Sequence, residues 1–320
     1  MAAPRTVQPQ LEGDTLQVEI AVPKMPDPLD ASGCGCPSCR RGLLLGLGAG
    51  LAAAAATTVL QGPTGGGATG RWAARWPDWY LAGFVRQMKE GMADFERWMV
   101  PRKTALFSRG LQGLGQSSAS GLGGPKVVEL GIGAGTNLPF FRSAGLKRAI
   151  AVEPNPEFAQ PALEKAKREG IKLEVHEGVA ENLSVFPDNS VDAVVATMVL
   201  CSVDSQEAAL REVHRILRPG GRYIFMEHTL AEGPEQWGLR GLQVILDPLQ
   251  QLVSAGCRLN NRPMPTILKT FGADGQVEAD HFSADSGKQR IAGPFGIEAP
   301  QPHFLLAPHV AGIATKSSTS

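Results

Sequence analysis

The run from Val127 to Asn137 constrains this chain more than any other segment. Val127-Val128-Glu129-Leu130 is short and mostly apolar, and it leads directly into Gly131-Ile132-Gly133-Ala134-Gly135-Thr136-Asn137. Glycine at alternate positions lets the backbone take positive φ and lets a ligand approach it closely. A helix opening after such a turn presents free N–H groups to that ligand. Strand, glycine turn and helix form the first half of a βαβ unit, so the rest of the chain must supply parallel strands beside the first. The spacing also discriminates. A dinucleotide turn wants small residues at its first, third and sixth positions, whereas here the third glycine is fifth, at Gly135, and Thr136 is sixth. That disfavours a nicotinamide oxidoreductase.

The sequence after Pro125 keeps the same texture. Strands are predicted at Val127–Leu130, Arg148–Glu153, Ile171–His176, Val191–Ala196, Arg222–Met226, Val277–Phe282 and Val310–Lys316. Helices are predicted between them at Leu138–Ser143, Pro156–Glu169, Ser205–Leu217 and Trp237–Ala255. This alternation predicts an α/β fold, a Rossmann-like sheet with helices on both faces. Leu217-Arg218-Pro219-Gly220-Gly221 reads as a helix stop and tight turn into the fifth strand, a structural element. Glu153 ends the second strand 22 residues after Gly131, followed by Pro154 and Asn155. An acid there can accept hydrogen bonds from both hydroxyls of a ribose. Gly178-Val179-Ala180-Glu181 follows the third strand and is placed to frame an adenine ring.

The N-terminal third is different. Residues 1–41 carry scattered apolar residues broken by prolines and read as a disordered leader. Cys34-x-Cys36-x-x-Cys39 offers three thiols where a structural zinc site wants four ligands, so no metal is expected there. Arg40-Arg41 then precedes residues 42–60, which contain no charged side chain and would span about 28 Å as a helix. A membrane anchor, a cleaved targeting signal of twin-arginine type and a bland Ala/Gly linker all fit this segment. The first places the chain at an endomembrane, the second in a chloroplast. After a linker at 61–70, Tyr80, Phe84, Met88, Met92, Phe95 and Met99 make one apolar helix face that Pro101 is expected to end. With Trp72, Trp76, Trp79, Arg71, Arg75 and Arg86 beside it, residues 71–100 fit either a membrane interface or a cover over the catalytic pocket. A loose linker at Gly110–Gly124 leads into a domain expected over 125–318.

These motifs, in this order, resemble the class I S-adenosylmethionine-dependent methyltransferases of the methyltransferase type 11 kind. Thr197-Met198-Val199-Leu200-Cys201-Ser202-Val203, Phe225-Met226-Glu227-His228, Leu246-Asp247-Pro248, Gly256-Cys257-Arg258-Leu259-Asn260 and Pro308-His309-Val310-Ala311-Gly312-Ile313-Ala314 narrow the resemblance to the membrane-associated alkyl-thiol methyltransferases and their plant and bacterial relatives. It covers residues 80 to 318 and implies a seven-stranded sheet with the last strand antiparallel. It also implies S-adenosylmethionine as cofactor and a small hydrophobic thiol as acceptor. Glu153 stands where the animal members have aspartate, and the leader before Arg40 has no counterpart.

On that reading Glu129, Gly131, Gly133, Gly135 and Asn137 hold the methionine end and the loop. Glu153, Pro154 and Asn155 take the ribose, Val179, Ala180 and Glu181 the adenine, and Thr197, Met198 and Val199 the methyl-transfer site. His228 is the candidate base for the thiol, Glu227 a hydrogen-bonding neighbour or catalytic group, and Cys201 a third catalytic candidate. No metal is expected in the fold. Carbon or oxygen methylation of a quinone, sterol or other lipid is the alternative activity, and a non-enzymatic cofactor-binding membrane protein the third. A net charge of zero, from 31 Lys+Arg against 31 Asp+Glu, and the lack of a basic patch argue against a nucleic-acid partner.

Overall fold

The computed structural model describes residues 75–114, 124–272, 275–283, 291–292, 298–299 and 308–318. The leader, the Cys34–Cys39 cluster, the 42–60 segment, the 61–70 linker and Trp72 lie outside the described residues.

Helices α1 (Asp78–Gly91) and α2 (Ala93–Gly110) come first. Then follow β1 (Val127–Leu130), α3 (Leu138–Ser143), β2 (Arg148–Glu153), α4 (Ala159–Glu169), β3 (Lys172–Glu177) and β4 (Val191–Thr197). The remainder is α5 (Gln206–Ile216), β5 (Leu217–His228), α6 (Trp237–Val253), α7 (Pro263–Phe271), β6 (Gln276–Ser283) and β7 (Pro308–Thr315). Seven strands lie in the order β3-β2-β1-β4-β5-β7-β6. The first five are mutually parallel, and β7 runs antiparallel to both β5 and β6.

The two-residue period of the strands divides the core. On β4, Val194 and Ala196 join Leu210, Val213, Ile267 and Phe271 from α5 and α7 on one face. Ala193 and Val195 join Met99, Phe107, Phe141 and Ala162 from α2, α3 and α4 on the other. Both faces being covered explains why Ala193–Ala196 of β4 is apolar without alternation. The predicted tight turn exists inside β5: its register with β4 jumps from Val191–Leu217 to Ala193–Arg222, and Gly220 takes φ 75°.

One expectation needs correcting, and one helix was not predicted. Pro101 does not end the first helix; the break falls at Met92, and α2 runs through Pro101 to Gly110. An interior proline costs about 3 kcal/mol, but Met99, Lys103, Leu106 and Phe107 are buried along the same helix and outweigh it. Residues 263–271, outside the helices predicted from the sequence, form α7. Pro263 and Pro265 sit in its first turn, where N–H groups have no intrahelical acceptor to lose, and Ile267 and Phe271 are fully buried.

Candidate active site

Neighbouring strands connect in opposite directions on either side of β1, and a crevice opens there at the carboxyl ends of β1, β2 and β4. It holds a cavity of about 600 Å³. Gly131 and Gly133 line it with φ of 61° and 52°. A Cβ at Gly133 would meet nothing within 4 Å, while one at Gly131 would lie 2.8 Å from Val199 Cγ2, so the glycine loop and the loop after β4 touch there. Gly135 does something else. Its φ is 75°, it is buried away from the cavity, and a Cβ there would lie 2.7 Å from Leu138 Cδ1. It lets α3 and α4 pack close.

Glu153 lines the cavity, and Pro154 does too. Its Oε2 accepts from Gly133 N at 2.9 Å and its Oε1 from Asn155 N at 3.0 Å. Asn155 itself is fully buried, and its Oδ1 accepts from Glu157 N at 3.1 Å. Burial pushes the Glu153 carboxyl up to about 7 against the pull of those two N–H groups. Glu129 and Asn137 stand below the loop rather than in the cavity wall: Asn137 Nδ2 donates to Glu129 Oε1 at 2.8 Å and to Thr197 Oγ1 at 2.9 Å. Burial raises Glu129 to about 8, opposed by the Asn137 hydrogen bond and by Lys103. Lys103, which the sequence reading missed, is buried on α2 and donates to Glu96 Oε2 at 2.6 Å.

Val179, Ala180, Glu181, Thr197, Met198 and Val199 all line the cavity, as expected. Met198 takes φ 60°, a left-handed conformation unusual for a side chain with a Cβ. Glu227 lies behind it. Its Oε1 accepts from Val199 N at 2.9 Å and Leu200 N at 3.1 Å, which fixes the loop that follows β4. Burial, followed by the neighbouring Cys201, lifts Glu227 to about 8.

His228 is the last residue of β5 and fully buried, not just beyond the strand as expected. Its Nε2 lies 3.3 Å from Cys257 Sγ. Cys201 and Cys257 line the cavity and His228 does not, so the cysteines stand between the imidazole and the site.

Phe84 and Met88 from α1, Met92 at the break and Phe95 from α2 complete the wall. These side chains lie where the cover reading of 71–100 expects them, in the cavity wall. Arg75 is drawn to the rim by Asp204 through hydrogen bonds of 2.7 and 3.0 Å. The α1 register is tied by Tyr80, whose Oη accepts from Ala255 N at 2.8 Å.

Three buried glutamates hold protons that the unfolded chain would release near pH 4.5. The folded state thus binds more protons between about pH 4.5 and 8, and stability falls as pH rises through that window. We expect Tm of the cofactor-free protein to be about 5 °C or more lower at pH 8.5 than at pH 5.5. Thermal unfolding followed by circular dichroism checks this; a Tm that rises with pH would contradict it.

The open space over Gly133 and the paired acceptor oxygens of Glu153 fit a nucleoside whose ribose hydroxyls donate, and the Val179–Glu181 wall fits its base. Strand order, glycine turn and acid define a class I S-adenosylmethionine-dependent methyltransferase. Residues 128–225 match the family described as a methyltransferase domain. The fold also matches the methyltransferase solved with the Trm112 activator of Haloferax volcanii, with a TM-score of 0.54 and 20% identity over 76% of this chain and 99% of that one. Human thiol S-methyltransferase TMT1A is 33% identical over 245 residues, 76% of this chain and 86% of that protein. Human thiol S-methyltransferase TMT1B is 37% identical over 185 residues, 57% of this chain and 72% of that protein. This chain belongs to the TMT1 family of methyltransferases.

Proposed function

We propose that this chain methylates the sulfur of a small hydrophobic thiol with S-adenosylmethionine. The observation that carries the reading is a cavity lined both by the glycine loop with Glu153 and by the apolar side chains of Phe84, Met88, Met92 and Phe95. The relatives' activity on thiols supports the choice of acceptor. The bound cofactor supplies a methyl group already activated on a sulfonium. Catalysis is then mainly alignment and exclusion of water. Gly131 and Gly133 would admit the cofactor against their backbone, and Glu153 would hold the ribose. Glu227, through the N–H groups of Val199 and Leu200, keeps the end of β4 in place beside the methyl. The apolar α1–α2 wall selects a hydrophobic acceptor and excludes water.

The test is to incubate the protein with S-adenosylmethionine and a short alkyl thiol, an alcohol of equal length, or a quinol. S-methyl product and S-adenosylhomocysteine are then quantified. We expect turnover with the thiol at least 100-fold above the alcohol, since a thiol ionises far more readily. Turnover with the quinol alone would assign carbon or oxygen methylation instead.

The same site works at a membrane surface, an endomembrane being the setting we favour. No helix among the described residues is long and apolar enough to cross a bilayer. Support comes from α6, which is built inside out. Its buried residues are Gln243 and Asp247, which hold Ala231 N, Leu259 N and Asn260 N. Trp237, Leu242, Ile245 and Leu249 face outward, Trp237 and Ile245 more than 70% exposed. Such a face suits an interfacial helix, and Gln250 and Val253 at its end line the cavity. In a chain beginning at Arg71, Ile245→Glu with Leu249→Glu is expected to lower sedimentation with phosphatidylcholine vesicles about 10-fold or more. Equal sedimentation of both forms would remove this role.

A further inference from the structure

Cys201 lies in the turn after β4, His228 at the end of β5 and Cys257 in the turn after α6. No local spacing motif joins them, which is why no metal was expected here from the sequence. The fold brings them together: Cys201 Sγ, Cys257 Sγ and a ring nitrogen of His228 all lie within 4.8 Å of one another, and all three residues are buried.

We propose that Cys201, Cys257 and His228 bind a thiophilic divalent cation, zinc in the first place, with a fourth position open to the cavity for the acceptor thiol. The identity of that fourth ligand rests on the thiol methyltransferase reading; the three protein ligands do not.

Donor chemistry, geometry and packing together carry the site. Two cysteines and one histidine are a known donor set of open, catalytic zinc centres. Tetrahedral bonds of ordinary length separate sulfur from sulfur by ~3.8 Å and sulfur from nitrogen by ~3.6 Å. The 3.3 Å between Cys257 Sγ and His228 Nε2 already meets this, and the remaining separations are within about 1 Å of it. Both cysteines line the cavity while His228 backs them, so a cation among them has its free side toward the substrate. The supporting backbone is rigidly tied. Arg258 N donates to Cys201 O at 2.9 Å, Asn261 Nδ2 donates to His228 O at 2.8 Å, and Cys257 N donates to Ser254 O at 3.0 Å. Two of the three described non-glycine residues at positive φ, Met198 and Ala255, flank the cluster, as strained backbone does at functional sites. Packing alone accounts for two small buried thiols, but not for a fully buried imidazole that turns its Nε2 to the sulfur of Cys257.

The site also answers a chemical need. No histidine lies among the described residues of the cavity wall to take the thiol proton, and a metal ion deprotonates a coordinating thiol outright. Cation binding displaces the two cysteine protons. The acceptor R–SH then binds as R–S⁻ and releases its proton to solvent. Its lone pair forms the new S–CH3 bond as the C–S bond of the sulfonium breaks, and that electron pair stays on the departing S-adenosylhomocysteine. The neutral thioether R–S–CH3 is a weak ligand and leaves.

The test uses the reduced full chain with Cys34, Cys36 and Cys39 replaced by serine, so that only Cys201 and Cys257 can supply thiolates. Cobalt(II) is titrated as the probe, and zinc is titrated against it. We expect one equivalent of cobalt to give a thiolate-to-cobalt charge-transfer band and the intense visible bands of a tetrahedral site, both displaced by zinc. Cys201→Ser and Cys257→Ser, each checked for folding by thermal unfolding, should weaken binding about 100-fold or more. Adding an alkyl thiol should shift the cobalt spectrum, and an alcohol of equal length should not. Absence of these bands in the reduced chain would overturn the proposal, whether or not the two cysteines oxidise to a disulfide in air. Bands that persist in both serine variants would overturn it too. A cobalt spectrum indifferent to thiol would overturn the open fourth position while leaving methyl transfer to be judged by its own assay. If methyl transfer to thiols fails but the spectrum forms and shifts, the acceptor reading fails and the site stands.

Discussion

Glu153→Ala is expected to lower S-adenosylmethionine affinity about 100-fold or more, measured by isothermal titration calorimetry. Hydrogen bonds to a charged group contribute about 1.5–3 kcal/mol each, and the ribose would offer two to this buried carboxylate. The carboxylate also holds Gly133 N and Asn155 N, so alanine removes ligand contacts and loosens the glycine loop together. Glu153→Gln separates the two contributions, because an amide oxygen still accepts but carries no charge. The pH dependence follows from the same environment. With the carboxyl at about 7 before binding, only its charged form is the full acceptor of two hydroxyl protons. Affinity should therefore rise with pH up to about 7 and level off above it. Glu153→Gln should flatten that profile. An alanine variant that binds as tightly as the wild type would show that the ribose lies elsewhere.

Gly312→Ala is expected to destabilise the domain by about 3–5 kcal/mol, enough to abolish soluble expression of a domain whose total stability is about 5–15 kcal/mol. Gly312 is inside β7, paired with Phe225 on one side and Ala279 on the other. A Cβ there would lie 2.2 Å from Glu278 O, 2.7 Å from Phe225 Cζ and 2.9 Å from Ala279 Cα. Two of those atoms are backbone, so rotamer change cannot relieve the clash and the β6–β7 pairing must move. Urea unfolding of any soluble fraction gives the magnitude. A midpoint unchanged from wild type would show that the sheet edge yields without cost. The requirement at Gly312 is steric and not conformational, which distinguishes it from Gly133, where the cavity provides room but φ is positive.

Much of the architecture was legible along the chain. The strands β1, β2 and β4 were readable because runs such as Ala193–Ala196 are apolar throughout, and the helix ends carry their own chemistry. Gly170 closes α4 at φ 67°, and Ser205 Oγ caps α5 by accepting from Ala208 N. The glycine turn, Glu153 and the Val179–Glu181 loop were legible for the same reason: each is a local pattern at the end of a strand. The failures were all cases of tertiary contact overruling local preference. Pro101 reads as a terminator, yet packing of Met99, Lys103 and Phe107 carries α2 past it. His228 reads as a base within reach of substrate, yet Cys201 and Cys257 screen it from the cavity. Gly135 reads as part of the ligand loop, yet it serves α3 and α4.

Sequence alone determined the α/β class, the glycine turn with Glu153 and the family, because each depends on backbone conformation and on residue periods within a few positions of one another. Tertiary structure alone decided which side chains wall the cavity, that α6 turns its apolar side outward, and that Cys201, His228 and Cys257 meet. Those juxtapositions link residues far apart in the chain. They come into being only when the sheet closes in its register and the loops at its carboxyl edge are brought together, and no local pattern records that geometry.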